Sequence, residues 1–426
     1  VENAISTSSR ANDLKITDVR IAVVASNYDY PIIRIDTNQG VYGLGEGRDA
    51  GHQENILQFK SMLLGQNPCN VDMIFRAIKK FGNWGREGGG VSGIELALWD
   101  LVGKVYGVPC YQFFGGKYRD KVRIYGDTPA PAESSPEAYA AAVRGRKELG
   151  LTYIKFDIRP RTFQVDGGTS GQPTKHEYSL GARWRAPGTG EGVKLTDRGI
   201  ERTVEIVAAI REAAGWDVSL CTDHFGHGYL TAKEVIRLGK ALEPFGLAWL
   251  EDPMPWWDIE GHKTVTDALA TPIAAGEELF LWDGFREWIE KRAVDILHPD
   301  LLTSGGMLET KRIADYGERY GIPTALHFAG SPIAFMANVH CAAAIPSFVA
   351  LEHHGLDMPF WDSLTTGHEP MVDGYVKVPD RPGLGVELNE EAIEANLRTP
   401  GTMFLPTDAW NTPKLGFWRP DNRWAE

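Results

Sequence analysis

A chain of 426 residues, 43% hydrophobic and 24% charged, can bury a full core. Its length exceeds the roughly 250 residues of one (β/α) barrel, so a large domain with a smaller companion is expected. A formal net charge of -13, with no clustered Lys or Arg, excludes a nucleic-acid binder but not an acidic substrate, which a metal ion and a few local cations can hold.

Residues 1–12, polar and opening on Val1, read as a disordered or trimmed leader remnant. Residues 13–121 read as an α+β domain. Apolar residues alternate from Ile16 to Val24, resume at Ile32 to Ile35 and reach Gly40 to Glu46, which predicts two or three antiparallel strands. A helix is predicted over Gly93 to Tyr106, where Ile94, Leu98, Leu101 and Val105 share a stripe.

From 122 to 381 the rhythm becomes short apolar strands separated by amphipathic helices. Strands are predicted at Val122 to Tyr125, Tyr153 to Ile158, Val218 to Thr222, Ala248 to Glu251, Ile273 to Gly276, Asp295 to Leu297, Thr324 to His327 and Phe348 to Glu352. Ser135-Pro136-Glu137, Thr196-Asp197 and Thr231-Ala232-Lys233-Glu234 start helices, and Gly150, Gly215 and Gly321 end them. Eight strands alternating with helices through right-handed crossovers close most simply into a parallel barrel.

Residues 159–195, rich in Gly, Pro, Thr and Arg, break the rhythm after the second strand, and a loop that long reads as a lid over the barrel's C-terminal face. Residues 382–426, with Trp410, Trp418 and Trp424, read as a tail docked on the small N-terminal domain. No run of about 20 apolar residues is present, so no membrane helix is expected and a cytoplasmic protein is. Cys69, Cys110, Cys221 and Cys341 are far apart and read as reduced thiols.

The predicted strands end in acids. The third gives Asp223, the fourth Glu251 in Leu250-Glu251-Asp252-Pro253, and the fifth Glu277 in Gly276-Glu277-Glu278. Singly, such an acid is more often a helix cap or a solvated loop residue. Three on consecutive strands, at the end where barrels hold their chemistry, repel unless a cation neutralises them, and an all-oxygen set selects a hard ion such as Mg2+. The sixth strand ends in His298-Pro299-Asp300, the seventh in His327 and the eighth in Glu352. A lone His is more often structural, but Asp300 and His327 on adjacent strands can pair, fixing the ring tautomer and raising its basicity, which makes a general base.

These motifs in this order, with Gly305-Gly306 and the run Gly93-Ile94-Glu95-Leu96-Ala97-Leu98-Trp99-Asp100-Leu101, resemble the enolase superfamily, mandelate racemase subgroup, from Ile16 to about Leu388. The resemblance implies an α/β fold, a (β/α)7β barrel (TIM-like) under an N-terminal α+β capping domain. It implies Mg2+ on Asp223, Glu251 and Glu277, a base His327 paired with Asp300, and Glu352 assisting the substrate carboxylate or enolate. It also implies that the loops Asn27 to Tyr30 and Arg48 to His52 set specificity.

Racemases of this subgroup carry Lys-x-Lys on the second strand, whereas this chain has Lys155-Phe156-Asp157. With Asp157 at the second base position, Lys155 is expected to pair with the substrate carboxylate or with Asp157, a structural strand-end ion pair being the bland alternative. One secure base favours β-elimination, as in the acid-sugar dehydratases that convert aldonic or aldaric acids to 2-keto-3-deoxy acids. Cycloisomerisation, epimerisation or racemisation through the same enolate is the alternative. His327 itself, His224 or His227 is the candidate proton donor to the leaving hydroxyl, and Phe225 replaces a residue commonly polar in the family. In the loop, Arg159, Arg161, Tyr178, Arg183 and Arg185 are candidates to reach the substrate, and Trp256 and Trp257 to stack on it. The expected partners are a small sugar acid and further copies of the chain.

Overall fold

The computed structural model describes residues 11–48, 52–82, 88–158, 162, 169–170, 194–223 and 230–413. Eight short strands, Lys121–Gly126, Tyr153–Asp157, Ser219–Asp223, Trp249–Glu251, Ile273–Ala275, Ile296–Leu297, Thr324–Leu326 and Phe348–His353, pair in parallel in chain order. The eighth returns to the first through Leu351↔Ile124 and Glu352↔Tyr125, which closes the barrel. Helices Pro136–Glu148, Asp197–Ala214, Ala232–Leu242, Ile259–Ala268, Leu281–Glu290, Gly306–Arg319 and Pro332–Ala344 follow the first seven strands. The strand bounds fall within one residue of those the apolar runs predict, because a strand covered on both faces must be apolar throughout. Helix starts obey their caps: Ser135 accepts from Ala138 N–H, Thr196 from Gly199 N–H, and Thr231 with Glu234 forms a reciprocal capping box.

The barrel's interior is plugged by one residue from each strand: Tyr125, Tyr153, Cys221, Trp249, Ala274, Ile296, Ala325 and Ala350. Bulky rings on the first, second and fourth strands fill the space that alanines on the fifth, seventh and eighth leave.

The N-terminal domain is a three-stranded antiparallel sheet, Ile16–Ala25, Asp29–Thr37 and Tyr42–Glu46, with the helix Gly89–Tyr106 packed on it. A Cβ at Gly43 would sit 2.0 Å from Ala97 O and one at Gly45 2.3 Å from Gly93 O, so only glycine lets strand and helix approach this closely. By strand alternation Leu44 and Glu46 face the other way, toward the barrel. The helix starts at Gly89 rather than the predicted Gly93, since packing around Arg48 overrides the poor helix propensity of Gly89 and Gly90.

The C-terminal segment returns to this sheet. Asn396 O accepts from Ala25 N–H, Val23 O from Arg398 N–H and Val19 O from Thr407 Oγ1, and Trp410 packs against the domain's core. Trp418 and Trp424 lie outside the described residues, as does most of 159–195 with its Arg159, Arg161, Tyr178, Arg183 and Arg185. Within that insertion Thr169–Ser170 pairs antiparallel with Lys194–Leu195. Cys110, Cys221 and Cys341 are buried free thiols and Cys69 is half-buried. Among the described residues no helix is long and apolar enough to cross a membrane.

Candidate active site

Because side chains on a strand recur every second residue, the residues two beyond the interior plug share its inward direction. They are Asp127, Lys155, Asp223, Glu251, Gly276, His298, His327 and Glu352. The barrel therefore turns from hydrophobic to charged within one pleat. The exception, Gly276, has φ 140°, a backbone reserved for glycine, and the reversal presents Glu277 in its place. Asp252 also adopts a left-handed φ, 44°, and its carboxylate is buried beside those of Glu277 and Asp223.

Lys155 Nζ is the hub of one half of the ring. It lies 2.9 Å from Asp223 Oδ2, 3.2 Å from Glu251 Oε1 and 2.6 Å from Glu352 Oε1. Burial alone would lower its pKa, but these three carboxylates hold it well above the ordinary lysine value. Glu251 is fixed further by Trp249 Nε1–H at 3.1 Å, and burial followed by the charges of Asp223 and Glu352 pushes its carboxyl well above the usual range.

His327 is the hub of the other half. Its Nδ1 lies 2.7 Å from Asp300 Oδ2 and its Nε2 2.7 Å from Glu277 Oε2. Both nitrogens face carboxylates, an arrangement that favours the protonated ring. Burial opposes the charge, yet Glu277, Glu352 and the hydrogen bond to Asp300 outweigh it and raise the ring well above its ordinary pKa. Glu352 joins the two halves: its Oε2 accepts from Tyr125 Oη at 3.0 Å and Phe328 N–H at 3.2 Å, and stands 3.7 Å from His327 Nε2. Beneath it, Tyr125 Oη and His298 Nε2 are 2.7 Å apart, so the plug supports the charged ring through hydrogen bonds.

Residues 5–115 match the mandelate racemase / muconate lactonizing enzyme N-terminal domain, and residues 138–392 match the enolase C-terminal domain-like family. The chain belongs to the mandelate racemase/muconate lactonizing enzyme family of the enolase superfamily. A D-xylonate dehydratase of Haloferax volcanii is 37% identical over 399 residues, covering 92% of this chain and 91% of that one. The D-galactonate dehydratase family member RspA of Pantoea ananatis is 32% identical, over 96% of this chain and all of its own length. A D-mannonate dehydratase of Caulobacter vibrioides is 28% identical, over 92% and 99%. Among solved structures, a mandelate racemase/muconate lactonizing enzyme-like protein from Rubrobacter xylanophilus superposes with a TM-score of 0.80 at 32% identity, over 92% of this chain and 100% of that one. This family member is an enzyme, a carbon-oxygen lyase of the hydro-lyase class.

Of the residues singled out in the sequence, Asp223, Glu251 and Glu352 meet on Lys155, while Glu277 and Asp300 meet on His327. The ion pairs of Lys155 are thus with acids of the third, fourth and eighth strands, where the sequence alone pointed to its strand neighbour Asp157 or to the substrate. His224, Phe225 and His227 lie outside the described residues. Sets of three acid or imidazole atoms within 4.8 Å of one another are, among the described residues, Glu251 with His298 and Glu352, and Asp127 with Glu352 and His354. Among the described residues, the buried carboxylates of Asp223, Glu251, Asp252, Glu277, Asp300 and Glu352 share the mouth with two permanent cations, Lys155 and Arg48. That negative excess, all of it on oxygen donors, fits a hard divalent ion.

The capping domain contributes residues that strand-end reasoning did not place on the chemistry. Arg48 Nη1 donates to Asp300 Oδ2 and lies 3.1 Å from His327 Nδ1, and Glu46 accepts from Ser331 N–H and Oγ–H. Asn27 Nδ2 donates to His354 O at 3.2 Å, and His354 Nε2 lies 3.3 Å from Asp127 Oδ2. The sequence signal for Glu46 and Arg48 is the alternation Gly43, Gly45, Gly47, which marks one face as a close backbone approach and points the intervening side chains at the barrel.

Proposed function

We propose that the protein is a Mg2+-dependent dehydratase of an aldonic or aldaric acid, yielding a 2-keto-3-deoxy acid. The observation that carries this reading is the hold on His327, with Nδ1 anchored to Asp300 at 2.7 Å and Nε2 turned to the acid cluster. The relatives named as D-xylonate, D-galactonate and D-mannonate dehydratases, matched over nearly their full lengths, support an aldonic acid. Asp223, Glu251 and Glu277 are the residues that hold the metal. When bound, Mg2+ supplies positive charge to the substrate carboxylate, whose α-proton is otherwise too weakly acidic to remove.

In its neutral form His327, with Nδ1–H on Asp300, takes the α-proton at Nε2, and Asp300 stabilises the imidazolium that results. The pair of electrons left behind forms the enolate, which the Lys155 ammonium faces across the ring and beside which Glu352 stands. Return of those electrons expels the β-hydroxyl, which leaves as water once protonated by the His327 imidazolium or by another acid of the site. The enol then tautomerises to the 2-keto acid. Lys155 holds three carboxylates at once, which makes it a fixed cation and not a second base, and this favours elimination over two-base racemisation.

The test is incubation with a panel of aldonic and aldaric acids, with Mg2+ and with chelator, scoring 2-keto-3-deoxy product. Turnover of at least one acid is expected only with the metal, and His327→Asn is expected to lower kcat about 10²- to 10⁴-fold, the usual range for a lost general base. α-Proton exchange in D2O without loss of water would favour an epimerase or cycloisomerase. Failure to dehydrate any acid of the panel would end the proposal.

A further inference from the structure

Arg48 enters the catalytic half of the ring from a different domain. It follows the third strand of the capping sheet, its guanidinium is fully buried, and a single nitrogen, Nη1, meets both Asp300 Oδ2 and His327 Nδ1. Asp300 Oδ2 therefore accepts twice, from the imidazole and from the guanidinium, while Asp300 Oδ1 accepts from Leu302 N–H at 2.6 Å. A carboxylate held from three directions cannot rotate, and the imidazole it holds cannot tilt. The approach is built into the backbone on both sides: a Cβ at Gly89 would lie 2.6 Å from Arg48 Cβ, and Glu46, two residues before, is tied to Ser331 at the start of the helix Pro332–Ala344, four positions after His327.

We propose that Arg48 is the positioning residue of the Asp300–His327 base, so that the base is aligned for proton transfer only when the capping domain is seated. The proposal rests on the dehydratase reading, in which His327 is the base. It assigns Arg48 to the orientation of a protein side chain and not to substrate affinity, and the two roles separate kinetically. Loss of orientation slows proton transfer within the bound complex and lowers kcat, whereas loss of a substrate contact raises KM.

The experiment uses the full chain with Mg2+ and an acid that the wild type dehydrates, comparing wild type, Arg48→Ala, Arg48→Lys and His327→Asn. The readouts are kcat, KM, the primary isotope effect on the α-deuterated acid, and rescue by added guanidinium ion. Arg48→Ala is expected to lose about 10²-fold in kcat with KM changed less than threefold, to show a larger isotope effect than wild type, and to recover at least tenfold with guanidinium. Arg48→Lys keeps the charge on a shorter, non-planar head and is expected to fall between the two. It carries the same kcat-against-KM comparison if Arg48→Ala does not fold. Wild-type kinetics in these variants, or a rise in KM with kcat preserved, overturns the proposal. Active His327→Asn would instead overturn the dehydratase reading, so the two failures are distinct.

Discussion

At Lys155 three carboxylates share one ammonium, and every member of the group is buried. Removing one partner of such a set leaves uncompensated charge, which typically costs about 3–5 kcal/mol. Lys155→Met is therefore expected to lower stability by about that amount in metal-free protein, measured by denaturant unfolding, and a loss below about 1 kcal/mol would mean that the acids do not depend on it. Single residues were unevenly legible. Asp223, Glu251, Glu277, Asp300, His327 and Glu352 stood out because a charge closing one apolar strand after another costs burial energy that packing alone never recovers. Tyr125 and His298 did not, since an aromatic inside a strand reads as core, and the partner of an imidazole just past one is revealed only by the side chain it meets across the barrel. Arg48 was legible as part of a capping loop but not as a neighbour of His327, because 279 residues of chain separate the two and only the docking of the domains brings them together.

Elements were more legible than contacts. The eight strands and the caps at Ser135, Thr196 and Thr231 follow from local patterns, whereas the start of the helix Gly89–Tyr106 does not, because tertiary packing overrides local propensity there. Two elements carry a pH dependence. His340, in the helix Pro332–Ala344, is stacked on Tyr111, and burial holds it down at about 4. His353, at the end of the eighth strand, accepts from Gly355 N–H through Nδ1, and burial holds it at about 3. In the unfolded chain both take a proton near 6.5. Between that value and the folded values the unfolded state binds protons that the folded state refuses. Stability is thus complete above pH 6.5 and declines as the pH falls toward 4, by on the order of 3 kcal/mol for His340. His340→Asn is expected to flatten the fall of the thermal midpoint between pH 6.5 and 4. An unchanged slope would place the acid sensitivity elsewhere.

For the molecule as a whole, the capping domain is joined to the barrel by buried polar contacts as well as by packing. Glu95 accepts from Met307 N–H at 2.8 Å and Leu308 N–H at 3.0 Å at the start of a barrel helix, and Glu46 accepts from Ser331. Separating the domains would strip Glu95 and Glu46 of these barrel donors, at about 1–3 kcal/mol apiece. Calorimetry is accordingly expected to show one cooperative transition; two well-resolved peaks would mean that the domains melt independently. The contact between Arg48 and His327 bears on how such enzymes diversify. On the mechanism proposed above, a capping domain grafted from a relative would replace part of what aligns the proton acceptor as well as the loops over the substrate, so chimaeras should lose turnover unless position 48 travels with a barrel suited to it.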